Sequence, residues 1–148
     1  MAEKLIDHMR TLMASNFTLY LKTHTAHWNV SGMFFQSLHA LFLEQYEDLF
    51  DQVDTIAEKI RRLDFFVPAG LAEFQEKTIF EDFTIALSAT EYLEQLLTDH
   101  EAMLILLQKV FDAAESDNNQ ALMNYLAERL DAHQMHRWKL RTTLNAIK

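Results

Sequence analysis

Cysteine is absent from the 148 residues, and turn formers are nearly so, with two glycines and one proline. No disulfide, thiolate metal site or cysteine nucleophile is available to such a chain. So few turn residues cannot punctuate many short strands, and they favour long helices with few breaks. Basic residues are scarce against acidic ones, 13 to 22, for a net charge of −9. That average field repels polyanions and attracts cations. Long apolar runs are missing as well. The longest wholly aliphatic stretch is "LILL", residues 104–107, far short of a membrane span. The opening "MAEKLIDHMR" mixes charges from the start and has no apolar signal core. A cytoplasmic protein with no membrane attachment is the expectation.

What is present is an ordinary apolar fraction, 49 %, on a length suited to one domain over 1–148. Four long helical segments are predicted. The first covers about 3–30, with Leu5, Met9, Leu12, Met13, Phe17, Tyr20 and Leu21 at three-and-four spacing, and Gly32 ends it. The second covers about 36–63, the third about 83–114 and the fourth about 119–147, with Ser116 or Asp117 as the cap of the last. Pro68 and Gly70 punctuate the long gap after the second helix, where "LAEFQEK" suits a short helix. One long central connection between two short ones predicts an all-α, ferritin-like four-helix bundle with a crossover carrying that short helix.

The second helix has two faces. Leu38, Phe42, Leu49, Val53, Ile56 and Ile60 form one stripe, which predicts the core side. Taking His39 as zero, Asp54 falls at about 60° and Glu58 at about 100°, in an arc shared with Leu43, Glu47 and Phe50. Imidazole and carboxylate on one face suit a metal ion. Along the axis, however, His39 and Asp54 stand about 22 Å apart, against metal–ligand bonds of about 2 Å. One chain cannot close such a site. Two antiparallel copies of this helix would bring His39 of one level with Asp54 and Glu58 of the other, with the two-fold axis near Glu47 and Asp48. His27, at the end of the first helix, can reach the same region through the tight turn.

The stretch His27, Trp28, Asn29, Val30, Gly32, Phe35, His39, followed by Asp54, Ala57, Glu58 and Lys59, resembles the signature of the Dps family, the DNA-protection-in-starvation mini-ferritins. Tyr46, "PAGLAEF" and "LDAHQMHRWKLR" are similar to further family segments, so the resemblance runs over nearly the whole chain. It implies a homo-oligomer, a hollow dodecamer built from two-fold dimers. It also implies oxidation of Fe(II), preferentially by hydrogen peroxide, and storage of the ferric product. His27 and His39 of one subunit and Asp54 and Glu58 of its mate would be the metal ligands, and Trp28 the aromatic beside them, there to intercept radicals or to pack. The same donor set admits zinc.

One position departs from the family pattern. Leu43 stands where a carboxylate is expected, four residues after His39, which leaves fewer oxygen donors for a second iron. Glu44 is rotated by about 100° from that direction. Glu47, one turn on, and His24, one turn before His27, are the possible substitute ligands. A rival expectation follows: a cage with impaired oxidation, serving as a metal-sequestering or DNA-associated shell. Direct DNA binding is not expected, because Lys4, Arg10 and Lys148 make no basic arm. Protection would then be chemical, unless magnesium bridges the two surfaces. The E-x-x-H pairs that build sites within larger ferritin bundles are absent. His133 and His136, three apart on the last helix, suit either a metal or inter-helix hydrogen bonds.

Overall fold

Apolar residues recurring every third or fourth position wind the first segment into α1, Ala2–Asn29, in the computed structural model, which describes residues 2–83 and 86–148. Leu5, Met9, Leu12, Met13 and Leu19 are buried along it, with Phe17 and Tyr20 packed at the edge. Leu21, expected in that stripe, is 40 % exposed instead. The helix ends at Asn29, and the turn that follows passes through Gly32, whose φ of 101° lies in the left-handed region that a side chain disfavours. The Gly32 carbonyl then accepts from the Phe35 amide at 3.1 Å, starting α2, Phe35–Arg62. The predicted core stripe of α2 is buried except Val53, which is half-buried, and Gln45 joins it.

The crossover carries α3, Leu71–Lys77, over the expected "LAEFQEK". It is strapped to α1: the Phe74 and Phe17 rings lie 4.8 Å apart, and the Ile79 amide donates to Ser15 Oγ at 3.1 Å. Next comes α4, Ala89–Ser116, which begins six residues later than the expected Phe83. Ser88 fixes that start through a capping box. Its hydroxyl accepts from the Glu91 amide at 3.1 Å, and the Glu91 carboxylate accepts from the Ser88 amide at 2.9 Å. Thr84 and Ile85, part of the expected third helix, lie outside the described residues. The last helix is α5, Gln120–Ile147, capped by Asn119 and not by Ser116 or Asp117, which instead close α4. Asn118, at φ 54°, makes the reversal between them.

The long elements have 28 residues each, about 42 Å of helix. α1 packs with α2 and α4 with α5, while α1 also meets α4. No strand occurs among the described residues. The result is an all-α bundle with one long crossover, as the sequence pattern requires.

Two polar groups sit inside this apolar frame. Lys22 on α1 meets Asp99 on α4 at 2.7 Å, their side chains 8 % and 13 % exposed, and the Lys22 ammonium lies 4.8 Å from the Phe83 ring centre. Burial pushes the Asp99 carboxyl up despite the Lys22 bond. The second group joins α2, α4 and α5. Arg129 grips Asp48 with two bonds, of 3.0 and 2.8 Å, and His136 Nε2 donates to the same carboxylate at 2.7 Å. Burial alone would raise the Asp48 carboxyl, but the bonds and charges of His136 and Arg129 hold it well below the usual carboxylate range. His100 and His133 are linked Nδ1 to Nδ1 at 2.9 Å, and Arg129 approaches His133 Nε2 at 3.4 Å. Desolvation first, then neighbouring positive charge, keeps both rings far below ordinary histidine basicity, so they are neutral.

Breaking one member of a buried ion pair strands its partner. Lys22→Met is expected to cost about 3 kcal/mol, and adding Asp99→Leu to recover most of that loss; denaturant unfolding of the single and double variants checks it. The neutral histidines set a second expectation. Their folded values lie below their unfolded ones, so stability is complete above pH of about 6.5 and falls toward acid, by up to about 1.4 kcal/mol per pH unit for each ring. Unfolding curves between about pH 7 and pH 5 measure the slope; stability that stays level or climbs toward acid contradicts it.

Candidate metal centre

The turn after α1 lays the end of that helix against the first turns of α2, and this brings His27 and His39 together. Their rings stack at 3.6 Å and 15°. Each Nδ1 meets the other residue's backbone carbonyl at 2.7 Å. A carbonyl only accepts, so each Nδ1 must hold the proton and donate it. In the neutral rings both Nε2 atoms therefore carry a lone pair. Such a bond at the far nitrogen is how metal-binding histidines are oriented and made more basic. His27 is buried and His39 half-buried, so the rings hold their direction by packing as well as by hydrogen bonding.

His24 lies one turn back, its ring centre 5.8 Å from that of His27. Tyr46 stacks on it at 3.9 Å and 11°, Trp28 lies 3.9 Å away on a tilt of 31°, and its Nδ1 is bonded to the Tyr20 hydroxyl at 2.9 Å. Desolvation, then the neighbouring His27, lowers its basicity. Trp28 itself is 58 % exposed. Tyr46 thus bridges two histidines, at 3.9 Å to His24 and 5.2 Å to His27. Sequence reading picked Tyr46 out only as a matching residue. The signal for its contact was its seven-residue offset from His39, two helical turns on the same face.

The acidic end is elsewhere. Asp54 and Glu58 are exposed, fifteen residues and more further along α2, about 22 Å from His39 by helical rise. The structure does not bring them to the histidines within one chain, and among the described residues no three acidic or imidazole side chains converge on an ion position. Leu43 faces the histidine side half-buried and offers no donor. Glu44, judged unsuitable from its angle, is engaged with Lys139 on α5. Glu47 is exposed on the face between the two ends. Leu21 and Trp28 on α1 and Phe50 on α2 stand 40 %, 58 % and 55 % exposed, large apolar side chains open to solvent.

No helix of the described residues is long and apolar enough to cross a membrane. The family model for the ferritin-like domain matches residues 6–148. An uncharacterised low temperature-induced protein of Nostoc sp. is 33 % identical over 133 residues, covering 88 % of this chain and 74 % of that one. DNA protection during starvation protein 2 of Bacillus anthracis is 28 % identical over 145 residues, covering 98 % and 99 %. The crystal structure of a Dps protein from Bacillus brevis superposes with a TM-score of 0.93 at 26 % identity, covering 97 % of this chain and 96 % of that one. The all-α bundle agrees with these likenesses. The chain belongs to the ferritin-like family, in its Dps branch.

Proposed function

We propose that this protein oxidises and stores iron at sites shared between two copies of the chain, so that Fe(II) and peroxide are removed before they damage DNA. The observation that carries this reading is the His27–His39 pair, with both Nδ1 atoms spent on carbonyls and the matching carboxylates out of reach on the same helix. His27 and His39 of one subunit and Asp54 and Glu58 of the next would bind Fe(II) as substrate. Twelve such chains in a shell, each at −9, draw cations inward.

Two Fe(II) ions give one electron each to hydrogen peroxide, whose O–O bond breaks. Two protons are taken up and two waters leave. The resulting Fe(III) ions hydrolyse, return protons to solvent and pass to acidic residues of the interior as mineral. The imidazoles position the ion and the carboxylates offset its rising charge. Trp28, in contact with His24 and half-open to solvent, is placed to intercept an oxidising radical. Zinc, which imidazole and carboxylate also bind, competes for the position.

Leu43 supports a qualified version. With no carboxylate there and Glu44 held by Lys139, the site has one full position and a second that depends on His24 or Glu47. The alternative role, a shell that sequesters metal with slow oxidation, rests on that same residue. Anaerobic Fe(II) titration followed by peroxide separates the two: fewer than about one iron per chain with no fast oxidation removes the enzymatic reading.

Sharing between subunits has a distinctive consequence. His39→Ala and Asp54→Ala each abolish fast oxidation alone, but co-assembled in equal amounts they regain about a quarter of the parent rate. Half of the two-fold contacts are then mixed, and each mixed contact holds one intact site. Peroxide-driven oxidation in the mixed cage measures it, and no recovery defeats the shared site. A second expectation concerns the missing carboxylate. Leu43→Asp raises tight Fe(II) from about one to about two per chain and speeds oxidation; unchanged binding would mean that His24 or Glu47 already fills the place.

A further inference from the structure

A site shared across a two-fold axis joins two chains and stops there, because each copy offers the same patch and both patches are used. The shell of the proposed function needs a second contact, head to tail and of another rotation. One end of the bundle supplies both halves of such a contact. Met33, in the turn between α1 and α2, is 91 % exposed, the highest value for a large apolar side chain among the described residues, and Phe34 beside it is 41 % exposed. Next to this knob runs an open groove of about 420 Å³ between the first turns of α2 and the last turns of α5. Ser37, Ala40 and Leu41 line one side, and Trp138, Thr142 and Thr143 the other. Knob and groove are neighbours: the Ser37 hydroxyl donates to the Phe34 carbonyl at 3.1 Å.

The groove turns away from the shared site. Around α2, Ser37, Leu41 and Glu44 fall at about 140° to 200° from His39, outside the arc of about 100° that holds His39, Asp54 and Glu58. Charge favours this end as the meeting place of like chains. Copies at −9 repel one another. Yet residues 23–43 contain no Asp, Glu, Lys or Arg, and residues 132–148 contain Arg137, Lys139, Arg141 and Lys148 with no acid at all. Glu44, the one carboxylate on the groove wall, is paired with Lys139. Size and chemistry agree. A cavity of about 150 Å³ admits a benzene ring, so the groove has room for Met33 and part of Phe34 from a neighbour. A thioether adapts its shape and favours aromatic contact, which Trp138, 53 % exposed, offers. A small-molecule occupant fits less well, because such sites enclose most of their ligand and this groove lies open.

We propose that the Met33–Phe34 turn of one chain seats in the α2–α5 groove of the next, a head-to-tail contact that joins two-fold pairs into the shell. The inference rests on the shell of the proposed function and not on its iron chemistry.

The test reads the mass of the full-length protein by light scattering and native mass spectrometry. Met33→Asp puts a carboxylate into an apolar groove without touching the core of the chain. The mass is expected to fall about sixfold, from a shell of about twelve chains to two-fold pairs, with helical circular dichroism unchanged. Because the chain has no cysteine, a double variant, Met33→Cys with Thr142→Cys, supplies the only two thiols for a short bismaleimide. Linked products larger than two chains are expected from the double variant and from neither single one. A parent no larger than two chains, an unchanged mass for Met33→Asp, or linked products that stop at two overturns the contact. Peroxide-driven Fe(II) oxidation separates this inference from the reading beneath it. A parent of two chains that oxidises iron fast keeps the shared site and removes this contact alone; a shell that links as expected but oxidises no iron keeps the contact and removes the site.

Discussion

An α-helix advances by a fixed 1.5 Å per residue, and nothing in this fold bends α2 enough to change that. His39 sits near its first turn, Asp54 and Glu58 past its middle. The rigidity that makes four 28-residue helices pack so regularly also keeps the two halves of the proposed metal-binding set apart. A second copy related by a two-fold axis cancels the separation, since the offset of one chain is matched by the reversed offset of the other. The exposed Leu21, Trp28 and Phe50 then acquire a reason. Under the proposed function their apolar area would favour association, and association would complete the chemistry, so that oligomer and site would rest on one geometric fact.

Within the chain, precision is concentrated at the histidine end. The reciprocal bonds between His27 and His39 lock two tautomers at once, and Tyr46, Tyr20 and Trp28 wall the neighbouring His24. Asp54 and Glu58, by contrast, stand exposed in the single chain. One half is held by hydrogen bonds and packing, the other lies open to solvent. This division suits an ion that arrives hydrated, exchanges water first for flexible oxygen ligands and last for fixed nitrogen.

How much of this was legible depends on whether a residue's role is local. The core stripe of α2 and the helix at "LAEFQEK" follow from periodicity and turn residues, and both stand where expected. The start of α4 was misplaced because Phe83 and Leu87 continue an apolar rhythm, whereas the Ser88–Glu91 capping box decides the boundary. Asn119 caps α5 for a similar reason: Asn118 adopts the left-handed turn first, which moves the cap two residues past Asp117. Long-range partners were not legible. No local rule says that Lys22 finds Asp99 or that Asp48 turns inward to Arg129. His100 gave no signal, sitting alone on α4, thirty-three residues from the ring it touches.

Leu43 is the position where fold and chemistry pull apart. A carboxylate there would face partly buried surroundings beside His39 and need a cation to offset its desolvation. Leucine removes that cost and strengthens the α2 surface when the site is empty. In the proposed shared site the loss would fall on the second ion, which would meet fewer negative ligands and be left to a neutral imidazole at His24 or to Glu47 one turn on. Glu44 points instead to Lys139 on α5. The first ion of that proposed site would be held firmly and the second only as strongly as those distant donors permit, so its rate with peroxide would report on occupancy more than on the intrinsic reactivity of the iron.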